Sequence, residues 1–277
     1  AYKKYFAVFV LPTLLAFTVF FIIPFIMGIV LSFCKFTTVT NARFVGFSNY
    51  IRAFSNADFI NALGFTTKFT IVSVITINII AFAIAYGLTR GIKGTNFFRT
   101  TFFMPNLIGG IVLGYIWQLM INAVLANFDV TITSDAKYGF WGLVILMNWQ
   151  LIGYMMIIYI AAIQNIPGEL IEAAKIDGAT KTQTMFKVII PMAMPSITIC
   201  LFLSLTNAFK LFDQNLALTA GAPSRKTAGL ALDIYTTFYN RNGWEGVGQA
   251  KAVVFFIIVG IVSMLQLYIT RKREVEE

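Results

Sequence analysis

An all-α membrane protein with six transmembrane helices is the fold class this sequence predicts, and three observations predict it. Hydrophobic residues make up 58% of the 277 and charged residues only 12%, against about 45–50% and about 25% in soluble domains. Six stretches of 18 or more residues carry no charge at all. No segment shows the roughly ten-residue alternation of a porin-type strand. Such an excess of apolar residues cannot be hidden in one soluble core. In lipid the backbone must satisfy itself, so each stretch is expected to be helical.

The six stretches lie between Lys4 and Lys35, Lys68 and Arg90, Arg99 and Asp129, Lys137 and Glu169, Lys187 and Lys210, and Lys251 and Arg271. They contain 30, 21, 29, 31, 22 and 19 residues. A spanning helix needs about 20 residues, so each holds one span and none holds two. The expected spans are 5–34, 67–90, 99–123, 140–164, 189–212 and 251–270, within one transmembrane domain over 1–277. The first follows Tyr2-Lys3-Lys4 like a signal peptide. It outruns the 7–15 residues of a signal core and has no small-residue cleavage site. It reads as a retained span, bent at Pro12 and Pro24. Pro191 and Pro195 should start the fifth span with a bend.

Loop charge gives the orientation. With both termini cytoplasmic, the inner segments 1–4, 90–99, 165–188 and 271–277 hold 11 Lys and Arg in 45 residues. The outer segments 35–68, 123–139 and 210–251 hold 10 in 93. This is the positive-inside bias with an even number of spans. It explains the net charge of +9 without nucleic acid, since no basic stripe is interleaved with aromatics. Tyr2, Tyr5, Tyr115, Trp117, Tyr138, Trp141 and Tyr268 cluster near the ends of the stretches, as an interfacial belt would, although any one of them could equally be a packing residue.

Several classes of function are disfavoured. There is no histidine, the commonest general base and metal ligand. Cys34 and Cys200 sit in apolar stretches and read as buried thiols. The charge-free stretches hold no proton relay of the kind an ion-coupled carrier uses, and no internal repeat stands out. No G-x-x-x-x-G-K-[ST] is present, so any nucleotide must act through another subunit.

The longest inner connection, over 165–188, has the most structure by pattern. Pro167 suits a first helical turn. Glu169 and Glu172 come next, where the helix dipole favours acids. Ala174 and Gly178 are four residues apart and would share a face open to close approach. Gly178 can take the left-handed conformation that ends a helix, and a second short helix should run from Thr180 to about Val188. A helix–glycine–helix at a membrane surface is a docking element. An ordinary amphipathic connector fits the same pattern.

The residues here resemble the E-A-A, three residues, G, nine residues, I-x-L-P loop of the permeases of binding-protein-dependent ABC importers. The loop reads Glu172-Ala173-Ala174, Gly178, then Val188-Ile189-Ile190-Pro191. Val188 and Ile190 replace Ile and Leu and stay apolar. Other blocks fall in the family's order. Phe44 to Tyr50 resembles F-x-G-L-x-N-Y, Phe103-Met104-Pro105 and Trp117 resemble its third span, and Leu218 to Pro223 resembles L-T-x-G-G-P with Ala222 for the second glycine. Ile234-Tyr235 and Gly248-Gln249-Ala250 resemble the family's C-terminal blocks. The carbohydrate branch fits best, and within it the first of two different permeases, as in maltose-type systems, with no extra N-terminal spans expected.

The resemblance implies a type I ABC importer permease in a bacterial or archaeal inner membrane. It is a transport subunit without a cofactor of its own. ATP and Mg would be bound by two partner ATPases. The further partners implied are a second permease, an extracytoplasmic solute-binding protein, a carbohydrate substrate and membrane lipid. Glu172, Ala173, Ala174, Asp177 and Gly178 would couple to the ATPase through a coupling helix. Gly221, Ala222 and Pro223 would reach the binding protein. A sugar needs amides or carboxylates for its hydroxyls and an aromatic for its apolar face. Asn106, Asn148, Trp149, Gln150, Asn207 and Asp213 are the candidates, although each amide could equally bridge helices. A permease for glycerol phosphate or a polyol, favoured if Lys210 lines the path, stays open beside this reading, as does an independent carrier or channel.

Overall fold

The computed structural model describes residues 2–272, and it is helical almost throughout. In chain order the elements are α1 (Tyr2–Phe17), α2 (Ile23–Ser32), β1 (Cys34–Lys35), β2 (Arg43–Phe44), α3 (Ser48–Phe54), α4 (Ala57–Leu88), α5 (Thr95–Phe103), α6 (Gly110–Leu125), α7 (Ala136–Gln164), α8 (Gly168–Ile176), α9 (Lys181–Thr184), α10 (Ile190–Met192), α11 (Met194–Phe209), α12 (Asp213–Leu218), α13 (Leu230–Asn240) and α14 (Glu245–Arg271). Among the described residues, five helices are long and apolar enough to cross a membrane: Val8–Ser32, Ala57–Leu88, Gly110–Phe128, Ala136–Gln164 and Glu245–Arg271. Lys181–Met192 and Met194–Phe209, bent by 72°, make a sixth when taken as one span.

The boundaries differ from the charge-free stretches in instructive ways. α4 starts ten residues before 67, because Asn56 caps it by accepting the Phe59 N–H at 3.0 Å. α14 starts at Glu245, so Lys251 lies inside the helix. The third stretch is not one helix over 99–123. α5 gives way to a 3-10 turn at Met104–Leu107, where Pro105 supplies no N–H, and the chain is extended at Ile108 and Gly109 before α6 begins. The first span is helical throughout 2–32, with a π turn at Thr18–Ile22 just before Pro24. The 72° bend of the fifth span falls between Pro191 and Pro195, which together remove two backbone bonds. The side chains of Tyr2 and Tyr5 lie outside the described residues.

The chain divides into two compact units, 1–60 with 233–257, and 61–232 with 258–277. The first unit is built around a buried cation. Lys251 and Asp233 are both fully buried, and the ammonium donates to Asp233 at 2.7 Å, Thr237 at 2.8 Å and Asn56 at 3.3 Å. All three ammonium protons are thus used, which is what a buried charge requires. Close by in the same unit, Arg241 pairs with Asp58, and Asn49 holds the Ser32 and Cys34 carbonyls at 2.9 and 2.8 Å.

The second unit centres its four spans on α7, which is more deeply buried than α4 or α6. Ring contacts give the directions. Phe65 meets Phe140, and Phe82 meets Tyr159, so α4 and α7 run parallel. Trp117 meets Trp149 and Ile121 faces Gly142, so α6 runs antiparallel to both. Cys200 reaches the Met155 carbonyl, while Asn207 shares a recess with Gln150, so α11 is antiparallel to α7 as well. A polar relay ties three of these spans: Tyr159 donates to Asn78 at 2.6 Å, Asn78 donates to Ser204 at 2.8 Å, and Ser204 donates to its own Cys200 carbonyl at 2.7 Å.

Glycine allows the closest crossing. A side chain at Gly153 of α7 would collide with the Phe102 carbonyl of α5. Gly153→Ala should therefore lower the unfolding midpoint in detergent, at a cost of about 1–3 kcal/mol from overpacking. Gly64→Ala, where a methyl meets open space, should leave it unchanged or raise it. Equal midpoints for the two variants would contradict this packing.

Candidate functional site

Four of the six candidate path residues come together. A recess of about 280 Å³ in the second unit is lined by Asn106, Met147, Gln150, Leu151, Asn207, Lys210, Phe212, Asp213 and Gln214. The local chain course brings them there. Asn106 is presented by the 3-10 turn that Pro105 enforces. Asn207 lies in the last turn of α11, its amide donating to the Leu203 carbonyl at 2.8 Å. Asp213 and Gln214 open α12.

α12 reaches the recess because α6 offers no side chains there. Gly110 faces Asp213 and Gln214, and Gly114 faces Ala217 and Gln214, so two glycines one turn apart let the short helix lie against the span. Gln118, one turn further, donates to the Leu218 carbonyl at 2.9 Å. Gln214 donates to the Gln150 Oε1 at 2.7 Å, and Gln150 in turn points its amide at the Ile108 carbonyl, 3.4 Å away. Gln150 therefore both lines the recess and fastens α12 to the broken segment. Gln214 was not singled out in the sequence; its signal was its place one residue after Asp213 at a helix start.

Asn148, Trp149 and Gln150 do not share one face. Successive helical residues turn by about 100°, and the three diverge. Asn148 is buried and donates to the Val144 carbonyl at 2.8 Å, and its Oδ1 has no partner among the described residues. Trp149 is exposed and packs edge-on against Trp117, with ring centres 5.6 Å apart. Only Gln150 reaches the recess.

The segment 165–188 forms α8, a tight turn and a second helix. Pro167 is the cap, and the helix starts at Gly168. Gly178, at φ +76°, is already past its end, so it does not share a helical face with Ala174. Instead the Gly178 and Ala179 amides close onto the Lys175 and Ala174 carbonyls at 3.1 and 2.9 Å. Thr180 and Gln183 form a reciprocal capping box that starts the next helix. That helix runs on through a π turn to Met192, beyond Val188. Glu172, Ala173, Asp177 and Gly178 are exposed and Ala174 is half-buried. Ile176 is 87% exposed, an apolar residue held out to solvent that sequence reading passed over.

Gly221, Ala222 and Pro223 lie in a loop folded about the buried Asn215. The Asn215 amide donates to the Thr227 carbonyl at 2.8 Å, and its Oδ1 accepts the Gly229 N–H at 2.8 Å. Thr227 donates to the Ala222 carbonyl at 2.6 Å. Ala220, Ser224 and Arg225 all have positive φ, and the Ala222–Pro223 bond is cis. Gly221 is buried, Ala222 and Pro223 are half-buried, and Ser224 and Lys226 are exposed.

A family model described as the inner membrane component of binding-protein-dependent transport systems matches residues 79–275. The chain belongs to that family. It is thus a multi-pass inner-membrane permease of an ABC importer, a transport subunit that works with a binding protein and other subunits and is not itself an enzyme. The permease is 45% identical to the probable starch degradation products transport system permease protein AmyD of Thermoanaerobacterium thermosulfurigenes, over 97% of this chain and 94% of that one. It is 32% identical to the multiple sugar-binding transport system permease protein MsmF of Streptococcus mutans, over 96% and 95%. It shares the fold of a chain in the crystal structure of a bacterial ABC transporter that imports the acidic polysaccharide alginate, with a TM-score of 0.83, 19% identity and coverage of 98% and 97%.

The split at residues 148–150 can be tested by cysteine scanning in a background lacking Cys34 and Cys200. Gln150→Cys should react with a membrane-impermeant maleimide, and Trp149→Cys and Asn148→Cys should react at least tenfold more slowly. Equal rates at the three positions would overturn the assignment of the recess.

Proposed function

We propose that this permease forms half of the path of an ATP-driven importer of sugars or oligosaccharides. It would stand opposite a second, different permease and on two ATPases that bind ATP and Mg. An extracytoplasmic binding protein would deliver the substrate. The observation that carries the substrate class is the likeness to a permease named for starch degradation products. The names of other relatives, multiple sugar and trehalose/maltose systems among them, support it.

The recess suits a neutral, hydroxyl-rich ligand. Its amides from Asn106, Gln150, Asn207 and Gln214 both donate and accept. Met147, Leu151 and Phe212 add an apolar wall against which the C–H face of a sugar can rest. Lys210 is also present and would favour the glycerol phosphate reading, in line with 28% identity to a glycerol-3-phosphate permease of Rhizobium meliloti. Asp213 in the same recess opposes an anion, so the neutral ligand fits better.

Both termini would be cytoplasmic, which puts α8 on the ATPase side. Its exposed face of Glu172, Ala173, Ile176 and Asp177 would enter the ATPase. The Gly178 turn and the capping box make the helix pair stiff enough to move as a body. On the opposite side, the loop about Asn215 would present Ser224 to Lys226 to the binding protein, with Ala222 and Pro223 behind.

Uptake of a labelled malto-oligosaccharide and of glycerol 3-phosphate by cells carrying the full importer tests both parts. Malto-oligosaccharide uptake should dominate, and preferential uptake of glycerol 3-phosphate would reject the sugar reading. Glu172→Lys and Gly178→Asp should each cut uptake at least tenfold while the amount of chain in the membrane is unchanged. Normal uptake by either variant would remove α8 from the coupling role.

A further inference from the structure

A second cavity of the same unit, about 510 Å³, lies inside the elbow between α8 and the ends of α4 and α7. Three cations line it, Arg90, Lys175 and Lys181, and no acid does among the described residues. Tyr86, Thr89, Gln164 and Thr184 add hydrogen-bonding groups, and Ile163, Ile171 and Ile189 form an apolar side. Glu169, Glu172 and Asp177 of the same loop are exposed and are not part of the lining. None of the three cations makes an ion pair among the described residues. Arg90 is held in place, stacked on Tyr86 at 4.4 Å and donating to its hydroxyl at 2.6 Å.

The charge here is not balanced by the fold. The C-terminal ends of α4, α7 and α8 meet at this elbow, and each contributes roughly half a negative charge at most. Three full positive charges exceed that sum. Lys181, moreover, is the first residue of its helix, where the dipole disfavours a cation. Lys175 and Lys181 are exposed and solvated, so an anion entering the elbow meets three cations without first displacing a protein carboxylate. The lining also says which kind. A free inorganic anion has no use for three isoleucines, whereas a lipid places a phosphate beside its glycerol and acyl chains. Tyr86 and Ile163 belong to the last turns of two spans, so the mouth lies at headgroup level, where basic pockets between spans bind anionic headgroups.

We propose that this elbow binds the phosphate of an anionic phospholipid. Arg90, Lys175 and Lys181 are its charge partners, and Ile163, Ile171 and Ile189 face its apolar part. A lipid seated there would brace α8 against the spans. The proposal uses neither the sugar reading nor the ATPase contact, so binding measured on the isolated full chain tests it separately from both.

The experiment is a titration of the purified full-length chain in neutral detergent, read out by native mass spectrometry. The probes are phosphatidylglycerol, phosphatidylcholine and inorganic phosphate. Phosphatidylglycerol should bind at least tenfold more tightly than phosphatidylcholine. R90Q/K175Q/K181Q should lose about fivefold in affinity for each cation removed. The charge-keeping R90K/K175R/K181R should retain binding within about threefold, and K187Q, outside the lining, should not change it. Should the triple neutral variant not fold, K175Q and K181Q, both at exposed positions, should each show the fivefold loss. Undiminished phosphatidylglycerol binding in the neutral variants would overturn the proposal. So would equal affinity for the two lipids, or saturable phosphate binding that phosphatidylglycerol fails to displace.

Discussion

Helices in lipid have little hydrophobic reason to associate, since the surrounding tails are as apolar as leucine. Three of the four central spans therefore depend on a specific contact, the relay from Tyr159 through Asn78 to Ser204. It joins α7, α4 and α11 in the part of the chain that water cannot reach. Asn78 spends its amide on Ser204 and on its own Val74 carbonyl, and its oxygen on Tyr159, so the network leaves no half-satisfied member. Each such bond contributes only about 0.6 kcal/mol on average in membranes. Its larger effect is on register: sliding any of the three spans by one turn would strand a buried polar group.

With that register fixed, small residues decide what else can approach. Gly153 admits α5 to the flank of α7, and Gly110 and Gly114 admit α12 to the flank of α6. The same approach of α12 carries Asp213 and Gln214 to Gln150 and closes the polar recess. The recess is thus a product of the packing. Gln150 and Asn207 are held by main-chain carbonyls and Gln214 by Gln150, so a ligand would meet donors and acceptors already in place. The elbow at the other end of the same spans is built differently, from charges that the fold collects and does not neutralise.

Much of this was legible in the sequence. Charge is expensive in lipid, so charge-free stretches found the spans, and a short glycine-punctuated pattern found α8. What escaped has physical causes. Lys251 marked a boundary by its charge, but Asp233, Thr237 and Asn56 compensate it inside the helix, so α14 continues six residues past the expected limit. Pro105 stood inside an apolar stretch and looked like part of a span, while the extended Ile108 and Gly109 break it. Asn148, Trp149 and Gln150 are adjacent candidates in the sequence, and helical rotation separates them. α12, α13 and the Asn215 knot were hidden in a stretch too polar to read as a span. Composition cannot tell a folded polar segment from a loop when its order comes from single buried side chains.

The central claim is that this chain is one half of a path driven from outside itself. The most direct measurement is purification of the tagged chain from its native membrane in a mild detergent, with mass spectrometry of the intact complex and transport assayed after reconstitution. The expected result is one copy of this chain, one copy of a second six-span permease and two copies of a Walker-motif ATPase, with uptake that requires ATP and the binding protein. A chain that purifies alone, and that moves solute alone in liposomes, would contradict it.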